Sequence, residues 1–176
     1  MLWTLAFDRV GVVMGDLYFV DPNLDQGDDG AERGVRLELR RFERDELKGS
    51  VYSAVPIRID APIWRVDMLE TVDSTPGSLN RAHHHPRFHG WDPGMRVFVE
   101  ELSADPISWI GKQFAEIEAV LAAAKVDDVS PSDVESLRAA GPAIVAELER
   151  QLGEVAAGRA GLRPDDAGDF VRQSWL

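Results

Sequence analysis

The spacing of the hydrophobic residues changes partway along the chain, and this change constrains the fold more than any other feature. Between residues 35 and 39 (VRLEL), apolar and charged residues alternate, which is the period of a strand with one buried face. From residue 107 onward, apolar residues recur every three or four positions, as along one side of an α-helix. A run of strands followed by a run of helices predicts an α+β fold rather than alternating α/β units.

The first hundred residues carry the strand signals. Residues 2–7 and 12–20 are apolar and are separated by turn residues, so they can pair as a hairpin. Pro56 favours an edge position or a bulge for any strand that contains it. Together these signals predict an N-terminal antiparallel sheet of five or six strands, a number that would allow strong curling. The other predicted strands are residues 35–39, 51–59, 63–70 and 96–99.

The second half of the chain predicts two helices. Asp105 followed by Pro106 is a start signal, because aspartate caps a helix and the missing N–H of proline costs nothing in the first turn. Ser130 followed by Pro131 repeats that signal. Gly141-Pro142 falls inside the second helix, where we expect a kink or a division because proline removes a backbone donor. The two helices would form a C-terminal helical hairpin whose apolar stripes face the core and could also serve as a homodimer face.

The length of the chain indicates its organisation. At 176 residues, with 44% hydrophobic and 28% charged residues, it can bury a core without disulfides or a structural metal. We therefore expect a single α+β domain, mainly β over residues 1–102 and mainly α over residues 103–160. Residues 161–176 would form a tail docked through Phe170 and Trp175.

Composition excludes several classes of protein. The chain has no cysteine, which rules out disulfides, thiolate metal sites and cysteine nucleophiles and fits a reducing compartment. It shows neither a signal-peptide pattern nor an apolar run near ~18 residues, so we expect a cytoplasmic protein without a membrane span. The formal net charge of −12 disfavours nucleic acids and anionic membranes as partners. A cation or a basic partner suits this charge better.

The four histidines lie within seven residues of one another, at His83, His84, His85 and His89. If the segment is extended, His83 and His85 project to the same face about 7 Å apart. Imidazole is the commonest neutral metal ligand, so these two side chains could converge on one divalent metal. A turn after the segment would let His89 supply a third ligand.

Asp67 is the best candidate for a carboxylate that completes such a site. It lies on the preceding predicted strand, in the sequence WRVD. Two or three histidines with a carboxylate suit zinc, iron(II) or manganese(II) and leave positions open for water or substrate. A metal in such a site can activate water, so a metal-assisted hydrolase is the first enzyme class that we expect.

An anion site is an alternative interpretation of the segment between Arg81 and His89. Arginines and partly protonated histidines would form a positive patch in an acidic protein, and arginine binds carboxylates and phosphates through bidentate contacts. An aromatic side chain could line the same pocket. The candidate substrate-binding residues are Arg65, Arg81, Arg87 and Trp91.

Catalysis at an anion site would need a general acid or base. His84, which cannot share the strand face of its two neighbours, could act in this role with Asp67 as the group that orients it. A third interpretation is that all the histidines are structural and bond to nearby carboxylates and carbonyls. The acidic surface and the helical hairpin would then bind a partner protein, and the chain would have no catalytic role.

A weaker candidate is the acidic loop over residues 21–32. Asp21, Asn23, Asp25 and Glu32 occupy the first, third, fifth and twelfth places of a calcium loop. The required glycine is displaced by one place, and the flanking residues predict strands rather than helices. A solvated hairpin loop is therefore the preferred interpretation.

Overall fold

The computed structural model describes residues 1–20, 30–163, 172–174 and 176. Its main feature is an open antiparallel sheet in which five strands lie in the order in which they occur along the chain. A short sixth strand also pairs with the second strand, at residues beyond those that pair with the first strand. The predicted α+β class and antiparallel sheet are confirmed. The strands are β1 (Leu2–Ala6), β2 (Val10–Val20), β3 (Ala31–Arg44), β4 (Ile57–Thr71), β5 (His83–His85) and β6 (Arg172–Gln173).

Two predicted strands differ from the observed ones. The alternation over residues 51–59 forms a strand only from Ile57, which pairs with the last residue of β3, Arg44. Val51 and Tyr52 are exposed in the connection between β3 and β4. Residues 96–99 form no strand either, because β5 offers only three residues as a partner and Val97 alone bridges to His84.

Helices follow the sheet, and two of them, at Pro106 and Pro131, begin where the sequence predicts. The Asp105 side chain accepts a hydrogen bond from the backbone N–H of Ser108 at 3.0 Å, and Ser130 accepts one from Asp133 at 3.1 Å. In both places a proline occupies the first helical position. The helices are α1 (Glu100–Ala104), α2 (Pro106–Ala115), α3 (Ile117–Ala124) and α4 (Pro131–Ala156).

The helical part is not a simple pair of helices. The first predicted helix is divided at Glu116, whose backbone (φ −108°, ψ 35°) leaves the helical region. The second is not divided at Pro142 and continues through it as one helix of 26 residues. Pro142 is exposed, whereas Gly141 is buried, and a Cβ at Gly141 would lie 3.4 Å from Cβ of Phe114. This close packing of α2 on α4 supports the helix on both sides of the proline.

The hydrophobic core lies between the helices and one face of the sheet. Val35, Leu37 and Leu39 of β3 all face this core, where Trp64 of β4 packs against Phe114 with ring centroids 6.1 Å apart. Because successive side chains of a strand point to opposite faces, the intervening charged residues of β3 and β4 lie on the far side of the sheet. We refer to that side as the polar face.

The end of the described chain lies beside β2. Strand β6 pairs with Tyr18 and Phe19, and the buried side chain of Leu176 packs with Val13 and Phe42. The proposed anchors Phe170 and Trp175, and residues 21–29 of the acidic loop at 21–32, fall outside the described residues. Among the described helices, none has both the length and the apolar character that crossing a bilayer requires.

Candidate metal centre

Strand register places two ionisable partners beside Asp67 on the polar face. In the register of the sheet, Asp67 of β4 lies opposite Arg36 of β3 on one side and opposite His83 of β5 on the other. Directly opposed residues on antiparallel strands have Cβ atoms only about 5 Å apart. The backbone alone therefore brings these three side chains together.

A second row of charged side chains lies next to the first. Arg65 of β4 is opposed by Glu38 on β3 and by His85 on β5, and its Nε donates to Oε1 of Glu38 at 2.6 Å. Nε of Arg40 lies 2.9 Å from Oε2 of the same carboxylate, an ion pair whose angles do not make a hydrogen bond. The fully buried Glu38 is thus shared between two arginines.

Asp67, His83 and His85 form a buried group that could hold a metal ion. Their ligand atoms all lie within 4.8 Å of one another, and each residue is at most 5% exposed. Oδ2 of Asp67 lies 3.4 Å from Nε2 of His83 and 3.6 Å from Nε2 of His85. Tetrahedral bonds of about 2.0–2.1 Å would place ligand atoms about 3.3–3.4 Å apart, which is close to the two distances from Asp67 to the histidine nitrogens.

Backbone carbonyls fix which nitrogen of each ring faces Asp67. Nδ1 of His83 lies 2.8 Å from the carbonyl oxygen of Arg81, and Nδ1 of His85 lies 3.1 Å from that of Pro93. A carbonyl can only accept, so each Nδ1 must carry the proton and donate it. In the neutral rings both Nε2 atoms then present lone pairs to a carboxylate oxygen. Such an arrangement needs a cation, or a further proton on each ring, between these atoms.

Arg36 holds the carboxylate of Asp67 in place. Its Nε donates to Oδ1 at 2.6 Å and its Nη2 to Oδ2 at 3.1 Å, a bidentate pair. Burial by itself raises the pKa of Asp67, but the charge of Arg36, its hydrogen bonds to the carboxylate and the interactions with His83 and His85 outweigh burial and hold this pKa well below its ordinary value of 3.8. Asp67 is therefore ionised at neutral pH.

The depressed pKa of Asp67 predicts a loss of stability in acid. Because the folded pKa lies below the unfolded value of 3.8, the contribution of Asp67 is complete above that value and is lost as the pH falls from there through the folded pKa. We expect the metal-free wild type and Asp67→Asn to differ most in free energy of unfolding above about pH 4 and to converge at lower pH. Urea denaturation at several pH values, with chelator present, measures this difference. A gap that is independent of pH would contradict the prediction.

A cleft of about 290 Å³ opens beside the three ligand atoms. At roughly 30 Å³ per water molecule it has room for about ten waters, or for a small organic molecule. Its walls are partly apolar and partly cationic. Besides the ligands Asp67, His83 and His85, it is lined by Leu17, Phe19, Leu69, Pro93, Gly94, Arg36, Arg65 and Arg96.

Of the residues that the sequence suggested for chemistry, His84 lies on the opposite face of the sheet. Its Nδ1 accepts a hydrogen bond from Nε1 of Trp64 at 3.3 Å, on the side of the helices. Burial, together with the charges of His85 and His83, lowers the pKa of His84 to about 4. The ring is therefore neutral near pH 7 and does not reach the cleft.

His89 and Trp91 lie away from the buried group. The chain does turn after the histidine segment, but His89 is exposed and pairs through its backbone with Asp92. The returning segment brings the carbonyl of Pro93 to His85 instead of a third imidazole. Trp91 is 63% exposed, and the guanidinium carbon of Arg40 lies over its ring, 5.4 Å from the centroid.

The remaining arginine candidates have different places. Arg65 lines the cleft, as described above. Nε of Arg81 pairs with Oε1 of Glu32 at 2.8 Å, so the one described residue of the candidate calcium set is already in an ion pair. Arg87 lines a separate cleft with Phe88 and Lys125.

Sequence reasoning did not identify Arg36 and Glu38 as neighbours of the site. Both lie in the alternating segment that predicted a half-buried strand, and both are 8% exposed or less. A charged side chain that is buried in a sheet needs a partner of opposite charge. The alternating charges of this strand could have suggested such partners, but they do not indicate which strand supplies them.

No protein-family model, no curated protein and no solved structure matches this chain.

Proposed function

We propose that the protein binds a divalent cation through Nε2 of His83, Nε2 of His85 and Oδ2 of Asp67, and uses it for hydrolytic chemistry in the adjoining cleft. The observation that supports this most is the orientation of the rings. The unprotonated Nε2 atoms of both rings face Oδ2 of Asp67, while each Nδ1–H donates to a backbone carbonyl. Metal-binding histidines characteristically donate their second N–H in this way, which fixes the ring and its tautomer.

The ligand set indicates which cations fit. Two imidazole nitrogens and one carboxylate oxygen, without sulfur, suit zinc, iron(II) or manganese(II). Three protein ligands leave coordination positions open, which is typical of catalytic sites rather than of closed structural ones. The cleft of about 290 Å³ gives a small molecule access to those positions.

The surrounding residues would orient the ligands and the substrate. Arg36 keeps the carboxylate of Asp67 fixed, as hydrogen-bonded partners of ligating carboxylates do in metal sites. A cation here would supply the acidification of water that metal-assisted hydrolysis needs. Leu17 and Leu69 would exclude bulk water from one wall of the cleft, which strengthens electrostatic interactions inside it.

Metal binding by untagged protein tests the proposal. After treatment with chelator and its removal, we expect the wild type to bind one Zn²⁺ per chain in a calorimetric titration, because the buried group offers a single set of three ligands. At a free concentration of 100 times Kd, the cation should add about 2.7 kcal/mol to the free energy of unfolding. The double variant His83→Ala/His85→Ala should lose both effects.

His89→Ala is the matched control. It removes an exposed histidine from the same segment and should bind Zn²⁺ as the wild type does. If the double variant fails to fold, the visible spectrum of the Co²⁺-loaded wild type still reports whether the metal leaves the octahedral geometry of the aqueous ion for a protein site of lower coordination number. Binding well below one equivalent in the wild type, or full binding by a folded double variant, overturns the proposal. The cluster would then be structural, with the two rings held between Asp67 and backbone carbonyls.

A further inference from the structure

The polar face carries an excess of positive charge around the cleft, in a protein whose net charge is −12. Three arginines, Arg36, Arg40 and Arg65, form ion pairs with two carboxylates in the described part of the chain, those of Glu38 and Asp67, and Nη1 of Arg36 also donates to the backbone oxygen of Leu176 at 3.5 Å. A divalent cation on Asp67 and the histidines would add two further positive charges at the same place. Charge that is concentrated in a partly enclosed cleft attracts a ligand of the opposite sign.

Arg65 is the arginine best placed to contact such a ligand. It lines the cleft, and its side chain is 12% exposed. Its Nε donates to Glu38, no hydrogen bond among the described residues uses its terminal nitrogens, and the guanidinium carbon lies 5.0 Å from the ring centroid of Phe88. Burial and the nearby charge of Arg36 lower the pKa of Arg65, as expected where positive charge is incompletely balanced.

We infer, building on the proposed cation site, that the substrate is a small molecule with a carboxylate or phosphate group, which binds between the cation and Arg65. The two lie close together because Arg65 is directly opposite His85 in the sheet. A planar guanidinium matches either oxyanion through two parallel hydrogen bonds. The remainder of the molecule lies against Leu17 and Leu69, and the volume of the cleft limits it to a small compound.

Binding of the anion and of the cation must then be coupled. The cation adds to the repulsion that Arg36 already exerts on positive charge, and an anion relieves this repulsion. Each ligand therefore raises the affinity for the other, by the same factor in both directions. Couplings between two sites are typically about 5–150-fold, so we expect a change in Kd of at least about 5-fold.

Titrations of the Co²⁺-loaded and the cation-free wild type with acetate and with inorganic phosphate test this inference. We expect at least one of the two anions to bind the loaded protein more tightly, by about 5-fold or more, with a saturable change in the visible Co²⁺ spectrum. A response to acetate alone identifies carboxylates, and a response to phosphate alone identifies phosphate compounds. Acetamide, which has the shape of acetate without its charge, is the control ligand, and ionic strength is kept constant with chloride.

Two variants locate the anion. The double variant Glu38→Gln/Arg65→Gln removes both charges of this ion pair. It should lower the affinity for the anion by at least about 5-fold, while one cation per chain still binds. Arg87→Gln, in the separate cleft, should leave both ligands unaffected. The wild-type coupling needs no variant, so a misfolded double variant does not decide the outcome. Cation binding that neither anion alters overturns this inference and leaves the proposed function standing, whereas failure to bind any cation overturns the proposed function itself.

Discussion

Arg36→Ala is expected to lower the free energy of unfolding by about 3–5 kcal/mol, measured by urea denaturation at pH 7 with chelator present. Arg36 and Asp67 are 8% and 1% exposed, and the guanidinium supplies two hydrogen bonds to the carboxylate. Without it, an ionised carboxylate remains buried beside the two histidines and loses both of these hydrogen bonds. Leaving one partner of a buried ion pair without the other is much more costly than removing both.

The double variant Arg36→Ala/Asp67→Ala tests that reason directly. Because it removes both charges, it should be more stable than Arg36→Ala alone. Arg58→Ala is the matched control, since Arg58 is 60% exposed and its carboxylate partners lie 3.7 Å away, so the change should be about 0–1 kcal/mol. An Arg36→Ala protein within about 1 kcal/mol of the wild type would show that the charge of Asp67 does not depend on this pair.

Zn²⁺ connects this prediction to the proposed function. A cation bound at Oδ2 neutralises Asp67 from the other side, and the repulsion between cation and guanidinium disappears in the variant. The loss caused by Arg36→Ala should therefore be smaller with saturating Zn²⁺ than with chelator. Equal losses under both conditions would argue against a cation at this carboxylate.

The face of each strand could be predicted from the sequence, and the relative position of the strands could not. Alternation correctly assigned Val35, Leu37 and Leu39 to the buried face. The contact of Arg36 with Asp67 depends instead on the register of β3 against β4, which includes irregularities next to Arg40. No local pattern encodes that register, because it results from the length of the connection and from packing on the helices.

The candidate site was predictable to a similar extent. An extended segment requires His83 and His85 to share one face and His84 to lie on the other, and the structure places them so. Asp67 was chosen as the best acid on the preceding strand, and it lies directly opposite His83. The place of His89 depends on the path of the turn around Gly90, whose φ of +63° directs the chain in a way that residue spacing does not reveal.

Trp64→Ala is the second variant for which we expect a large effect, a loss of about 3–5 kcal/mol in the free energy of unfolding. Trp64 is 1% exposed and packs against both Trp109 and Phe114, with ring centroids 6.1 Å apart in each pair. Truncation leaves a cavity in the centre of the core and removes the N–H that donates to His84. Urea denaturation measures the loss.

Trp91→Ala is the matched control, because it removes the same type of side chain from a position that is 63% exposed. Only the contact with Arg40 is lost there, and such a cation–π contact contributes about 0.5–1 kcal/mol at an exposed site. Losses of similar size for the two tryptophans would contradict a core centred between the sheet and α2.

The same variant separates the core from the candidate site. Trp64 points to the helices and the ligands of the proposed cation point to the polar face, so folded Trp64→Ala protein should still bind one Zn²⁺ per chain. His83→Ala/His85→Ala should show the reverse pattern, with the cation lost. If folded Trp64→Ala protein also lost the cation, the hydrogen bond from Trp64 to His84 would be needed to hold β5, and with it both histidine ligands, against β4.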